Sequence, residues 1–366
     1  MADSAQARRA ALLRGGSSPL GDGDWLLSEG IKLDANSPSR SGVYQPACPS
    51  RPAAPNVAQV VSNASTISAR STSVRSEAST LARIGAFVAL TKPRIIELLL
   101  VTTVPTMVVA ARGWPSSGLV VATLIGGTLS AGGANAANMY LDRDIDALMH
   151  RTSRRPLVTG AVSAPAAVIF AASLEAAAFL TLWLAVNMLA AVLALSAALF
   201  YVFVYTAFLK RMSPQNIVIG GAAGAVPVLV GWAAVRGELG WAPLVLFALV
   251  FLWTPPHFWA LAIRYKDDYA NANVPMMPVV MTLERTVAQI FVYSLATVAT
   301  SALFGLVANM HWLYWGVAMV AGGVLIGLCA RLLVTRTTAL AMKVFHWSIT
   351  YLSLLFVAMA LDELVH

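Results

Sequence analysis

The sequence predicts an all-α, polytopic membrane protein with nine transmembrane helices, and three observations carry that prediction. First, the 366 residues are 58% hydrophobic and only 11% charged, where a soluble domain carries roughly 25% charged residues. Second, apolar runs of the length that crosses a bilayer, about 17–25 residues, lie near 95–111, 117–138, 162–184, 187–208, 215–235, 241–263, 287–308, 312–331 and 344–361. Only helices supply so many spans, because each must satisfy its own backbone hydrogen bonds in lipid. Third, the connecting segments alternate in basic charge. Fifteen basic residues fall on one side, from Arg83, Lys92 and Arg94 through Arg143, Arg151, Arg154, Arg155, Lys210 and Arg211 to Lys343; the other side holds only Arg112 and Arg236. The basic side is cytoplasmic by the positive-inside rule, and an odd number of spans places the N-terminus inside and the C-terminus outside.

Residues 1–84 differ from the rest. They are rich in Ser, Ala, Pro and Arg, hold few aromatics and no long apolar run, and read as a disordered tail before a transmembrane domain at 85–366. Arg8, Arg9 and Arg14 raise the idea of a mitochondrial transit peptide, but Asp3, Asp22, Asp24, Glu29 and Asp34 make the segment too acidic for that class. A bacterial inner membrane is therefore expected. Cys48 and Cys329 lie far apart in contrasting surroundings, so no disulfide framework is implied. The net charge of +8 reports topology and not a nucleic-acid partner.

After the second run comes Asn138-Met-Tyr-Leu-Asp142-Arg-Asp144-Ile-Asp146, dense in charge where the chain otherwise avoids it. Residues four apart on a helix drift only about 40° per step, so Asn138, Asp142 and Asp146 share one face. Three oxygen donors in this arrangement suit a hard divalent cation such as Mg²⁺, which fills its shell with water and phosphate oxygens. Arg151, Arg154 and Arg155 follow at once and suit the phosphates, although positive-inside anchoring explains them equally well. Lys210 and Arg211, at the end of the fourth run, divide between the same two readings. Asp144 points away from the face, toward Arg143, Arg151 or solvent. The pattern names a chemistry, a metal-held diphosphate at the membrane surface. A second acidic pair, Asp267 and Asp268, follows the sixth run on the same side, with Asp268 the favoured ligand.

Other polar residues are placed less decisively. Lys92-Pro93-Arg94 opens the first span, with Glu97 one turn later. Glu175 lies midway through the third span, where an ionisable side chain is either functional or a hydrogen-bonded packing residue. His257 sits in Trp253-Thr-Pro255-Pro256-His257-Phe-Trp259, where two prolines interrupt the sixth span; it is either a structural residue or a substrate contact. The tryptophans from Trp232 to Trp347 read mostly as an interfacial belt. Gly220, Gly221 and Gly224 either let helices approach closely or leave room for a flat ring.

The Asn138-x-x-x-Asp142-x-x-x-Asp146 pattern with a second Asp site after the sixth span resembles the intramembrane prenyltransferases. Five further stretches resemble the haem-prenylating branch, the protohaem IX farnesyltransferases: Thr91 to Glu97, Arg151 to Leu157, Pro214 to Ala225, Trp253 to Trp259, and Asp268 to Pro278. The resemblance runs from about residue 88 to 363 and omits the tail. It implies nine helices around a central cavity, with Mg²⁺ held by Asn138, Asp142, Asp146 and Asp268. It implies substrate contacts from Lys92, Arg94, Glu97, Arg151, Arg154, Arg155, Lys210, His257 and Asp267. The implied reaction moves a farnesyl group from farnesyl diphosphate to a vinyl group of haem b, giving haem O for terminal oxidases. A downstream haem O-oxidising enzyme and the lipid bilayer are the implied partners. A sister enzyme prenylating a quinone-precursor aromatic acid is the alternative, and an ion transporter is disfavoured because the carboxylates gather at one surface.

Overall fold

A computed structural model describes residues 80–366, leaving out the side chains of residues 94–100; the tail expected at 1–84 lies outside the described residues except at its end, where helix α1 begins at Thr80. The described residues form helices and no strands. In chain order they are α1 (Thr80–Thr91), α2 (Pro93–Ala111), α3 (Ser117–Leu141), α4 (Arg143–Leu148), α5 (Ala164–Ala185) and α6 (Met188–Met212). They continue with α7 (Asn216–Arg236), α8 (Trp241–Arg264), α9 (Lys266–Asn271), α10 (Met277–Val280), α11 (Leu283–Val307), α12 (Trp312–Thr335) and α13 (Thr338–Val365). Among the described residues eight helices, α3, α5–α8 and α11–α13, are long and apolar enough to cross a membrane. The 19-residue α2 takes the place of the first expected span.

The long helices pack in chain order from α2 through α13, and α13 returns to α2, closing a ring. Contacts between helices that are not neighbours in the ring brace it, above all α2 on α7, α8 on α13 and α3 on α6. Small residues set these approaches, as is usual where lipid removes the hydrophobic driving force between helices. A methyl group at Gly133 would sit 3.0 Å from the Ala171 carbonyl, and one at Gly126 would strike the Leu182 side chain at 2.5 Å, so glycine brings α3 onto α5. Gly220 admits the Tyr205 ring and Gly221 the Thr254 side chain, while Gly224 faces open space. Close packing therefore explains the first two glycines of that stretch. The expected tryptophan belt divides: Trp241 and Trp312 are exposed at helix starts, whereas Trp253 and Trp259 are buried in the bundle.

Two joints place the site. Lys92, between α1 and α2, adopts a left-handed conformation (φ 53°) before Pro93, at a cost of about 1–2 kcal/mol. Asn135 Nδ2 donates to the carbonyl of Thr91 at 3.0 Å and pins that joint to α3. In α6, Phe200–Leu209 is wound as a π-helix, whose wider turn alters which side chains face α3.

At the opposite end, the buried Asp362 of α13 accepts backbone N–H groups of His311, Leu313 and Tyr314 and so caps the start of α12. Orphan helix-start donors in a buried setting each carry a desolvation cost. Asp362→Ala lowers stability by roughly 2 kcal/mol or more, and Asp362→Asn by less because one acceptor oxygen remains. Relative melting of the detergent-purified variants measures the difference.

Candidate active site

Asn138 and Asp142 occupy the end of α3, and α4 carries Asp146 onward. The expected shared face is present, and all three side chains are buried, Asp142 completely. Buried carboxylates need partners, since the effective cost of an unpaired ion is several kcal/mol. Two cations supply them, and a third basic side chain sits on the neighbouring amide. Lys210 Nζ lies 2.5 Å from Asp142 Oδ2, Arg155 Nη1 lies 2.5 Å from Asp146 Oδ2, and Lys92 Nζ donates to Asn138 Oδ1 at 2.6 Å. The packed helices strip water from the Lys92 ammonium, and Arg155 and Lys210 repel it, so its pKa is pushed down to about 7.

The pairings have a register. Asn138 Nδ2 donates to Thr206 Oγ1 at 3.0 Å, and Asp142 takes Lys210, each pair 68 residues apart. A constant offset means that α3 and α6 run parallel here, and matching four-residue steps bring both pairs into contact. Asn138 Nδ2 also donates to Asp142 Oδ2 at 2.8 Å. Asp144, expected to turn to Arg143, Arg151 or solvent, instead takes a bidentate fork from Arg211 at 2.7 Å, which holds its carboxyl down at about 2. Lys210 and Arg211 thus part ways, one into the buried cluster and the other to an exposed partner.

The remaining expected residues lie around this cluster. Arg151 Nη2 donates to the Tyr269 hydroxyl at 3.3 Å and its guanidinium lies 5.3 Å from the Tyr265 ring centroid, tying the loop after α4 to the segment of the second acidic pair. Asp268 is half-buried and Asp267 exposed on α9, and neither side chain has a hydrogen bond or ion pair among the described residues. Arg154 is exposed. The side chains of Arg94 and Glu97 lie outside the described residues. Glu175 accepts from Ser130 Oγ at 3.0 Å across the α3–α5 contact, with its other oxygen buried and unpaired. His257 is buried on α8 between the rings of Trp253 (4.3 Å) and Phe345 (4.6 Å). Its Nδ1 lies 2.8 Å from Ser348 Oγ. That hydroxyl donates its own proton to the Phe345 carbonyl at 2.7 Å, so it accepts from Nδ1–H, and Nε2 of the neutral ring keeps its lone pair.

The donor set fits a hard cation. It is all oxygen, and Asp142 Oδ1 is buried with no partner among the described residues, the condition of an atom awaiting a ligand. Two carboxylates face Arg155, Lys210 and Lys92, so the cluster carries surplus positive charge when Lys92 is protonated, a form that an anion such as a diphosphate would favour. Thr206 and Asn216 escaped the sequence reading. Thr206 is completely buried on the cluster; Asn216, at the start of α7, is completely buried with both amide atoms unpaired. No local spacing marks either. A further group, His311, Asp362 and His366, brings ligand atoms within 4.8 Å, but its two imidazoles stack nearly parallel at 11° and do not converge on one point.

Lys210→Met strands Asp142 and lowers stability by roughly 3 kcal/mol. Arg211→Met removes an exposed pair and costs less than about 1 kcal/mol. Denaturant unfolding of the two variants side by side checks the contrast.

A family model described as the UbiA prenyltransferase family matches residues 99–355. A relative named protoheme IX farnesyltransferase from Clavibacter sepedonicus is 54% identical over 283 residues, 76% of this chain and 92% of its own length. One of the same name from Streptomyces avermitilis is 54% identical over 287 residues, 77% of this chain and 94% of its own. A solved digeranylgeranylglyceryl phosphate synthase structure superposes with TM-score 0.65 at 17% identity, covering 78% of this chain and 99% of that one. A UbiA homolog from Archaeoglobus fulgidus bound to GPP and Mg²⁺ gives TM-score 0.56 at 19% identity, covering 75% and 99%. These structures share the helical fold, and the closer sequence relatives narrow the group. The chain is an all-helical integral membrane protein that belongs to the UbiA prenyltransferase family, among the protohaem IX farnesyltransferases.

Proposed function

We propose that this chain transfers the farnesyl group of farnesyl diphosphate to a vinyl group of haem b, giving haem O. The observation that carries the reading is the Asn138/Asp142/Asp146 face with Lys92, Arg155 and Lys210 gathered on its oxygens. The names of the relatives point to the same substrates. Asn138, Asp142, Asp146 and Asp268 would hold Mg²⁺, which when bound neutralises diphosphate charge as a Lewis acid. Lys92, Arg155 and Lys210 take the rest of that charge, with Arg151 and Arg154 at the rim; Arg94 is proposed as a further substrate contact from sequence alone. As the C1–O bond to the diphosphate breaks, the vinyl π electrons form a bond to C1. The cation left beside the porphyrin takes up water, which then loses a proton, completing the hydroxyethylfarnesyl group. The buried walls exclude bulk water, which would otherwise intercept the allylic carbon.

His257 supports the haem half of this reading through its free Nε2, a lone pair suited to haem iron or to a proton. The side holding Lys92, Arg151, Lys210 and Lys266 is cytoplasmic in this proposal, across a bacterial inner membrane. Residues 85–366 form the transferase domain behind a tail, and the product passes to a haem O-oxidising enzyme.

Purified protein given farnesyl diphosphate, haem b and Mg²⁺ yields prenylated haem by mass spectrometry. Turnover on a phenolic acid acceptor with no prenylated haem overturns the assignment in favour of a quinone-type enzyme. Asp142→Asn or Asp146→Asn lowers kcat/KM by roughly a hundredfold or more, in the range that follows loss of a preorganised charge contact. His257→Ala alters the absorption spectrum of bound haem b while farnesyl diphosphate binding stays within about twofold; an unchanged spectrum removes the histidine from the haem site.

A further inference from the structure

Asn138 can meet a cation only through Oδ1, so the orientation of its amide decides whether it is a ligand at all. Three neighbours set that orientation. Lys92 Nζ, which as the ammonium only donates, lies 2.6 Å from Oδ1. Asp142 Oδ2, which can only accept, lies 2.8 Å from Nδ2. Thr206 Oγ1 lies 3.0 Å from the same Nδ2, and its own proton goes to the Tyr201 carbonyl at 2.8 Å, five residues back in the π-helical turn. The hydroxyl is therefore an acceptor toward Asn138. With the amide reversed, an N–H would face the ammonium and the oxygen would face a carboxylate.

The three supports differ once substrate arrives. Lys92 and Asp142 carry charge that the diphosphate and its metal recruit. Thr206 is neutral, completely buried and anchored to backbone, so it alone has no competing ligand. We propose that Thr206 is a positioning residue that holds the Asn138 amide with Oδ1 toward the metal-diphosphate while substrate is bound. This rests on the reading of Asn138 as a metal ligand. The π-helical segment is what makes it available, since the Thr206 hydroxyl and its own backbone N–H both reach toward the carbonyl at i−5.

The test follows Mn²⁺ by electron paramagnetic resonance in the presence of a farnesyl thiolodiphosphate, whose C–S bond resists transfer, so binding is read without turnover. Thr206→Val keeps the shape and deletes the acceptor; it weakens apparent Mn²⁺ affinity roughly tenfold, the scale of losing a residue that orients a ligand. Thr206→Ser keeps the acceptor and stays within about threefold of the parent. Asn138→Ala with Thr206→Val binds no more weakly than Asn138→Ala alone, because both act through one amide. Should the valine variant fail to fold, Thr206→Ala makes the same deletion without the bulk. Parent-like affinity in the valine or alanine variant, or additive losses in the double variant, overturns the proposal. Asp142→Asn separates the two readings: loss of Mn²⁺ there with retention in Thr206→Val sinks only the role of Thr206, whereas retention in Asp142→Asn sinks the metal site itself.

Discussion

Two carboxylates buried at the end of a membrane helix impose the constraint that organises the rest of this molecule. Asp142 and Asp146 are almost without solvent contact, and an isolated charge there would cost several kcal/mol. The surrounding chain is arranged to bring cations in from three directions. A left-handed joint turns Lys92 inward, a π-helical segment carries α6 down to Lys210, and the loop after α4 folds back with Arg155. Each device is locally unfavourable or uncommon. Together they convert an electrostatic liability into a site whose carboxylates are matched by cations, with a further base at Lys92 ready to take a proton beside an anion.

The same region joins two parts of the bundle. Ile145 and Met149 of the α4 segment belong to one buried apolar cluster with Tyr269, Val274 and Met276 beyond α8. Arg151 adds its polar and ring contacts to the same segment. The second acidic pair is thereby tethered near the first without a direct bond between carboxylates. Deeper in the bundle, His257 is oriented by Ser348 and clamped by two rings, so its free nitrogen is set by α13 as much as by its own helix.

Much of this was legible in the sequence, and the limits have physical causes. Asn138, Asp142 and Asp146 could be read because helical spacing alone puts them on one face. The membrane helices could be read because the apolar length is fixed by the bilayer. What escaped depends on pairing across the fold. Nothing local says that Asp144 meets Arg211, 67 residues away. The stretch Phe-Tyr-Val-Phe-Val-Tyr-Thr reads as one more apolar run; its π winding, and with it Thr206, emerges only against α3. Trp259 looks like a belt residue by its position near the end of α8, yet tertiary packing buries it, as it buries Trp253 at the middle of the same helix. Asn216 gives no sign in sequence of being sealed away with both amide atoms unpaired.

The cap that Asp362 places on α12 bears on how the chain assembles. Its three backbone donors lie 48 to 51 residues earlier. As helices enter the membrane in order of synthesis, the start of α12 waits with unsatisfied amides until almost all of α13 has been made. The hairpin formed by these two helices is thus completed from its far end, and α13 also closes the ring onto α2. One carboxylate therefore acts as the clasp of the bundle: the ring is fastened by the same late segment that relieves the earlier helix of its exposed polar groups.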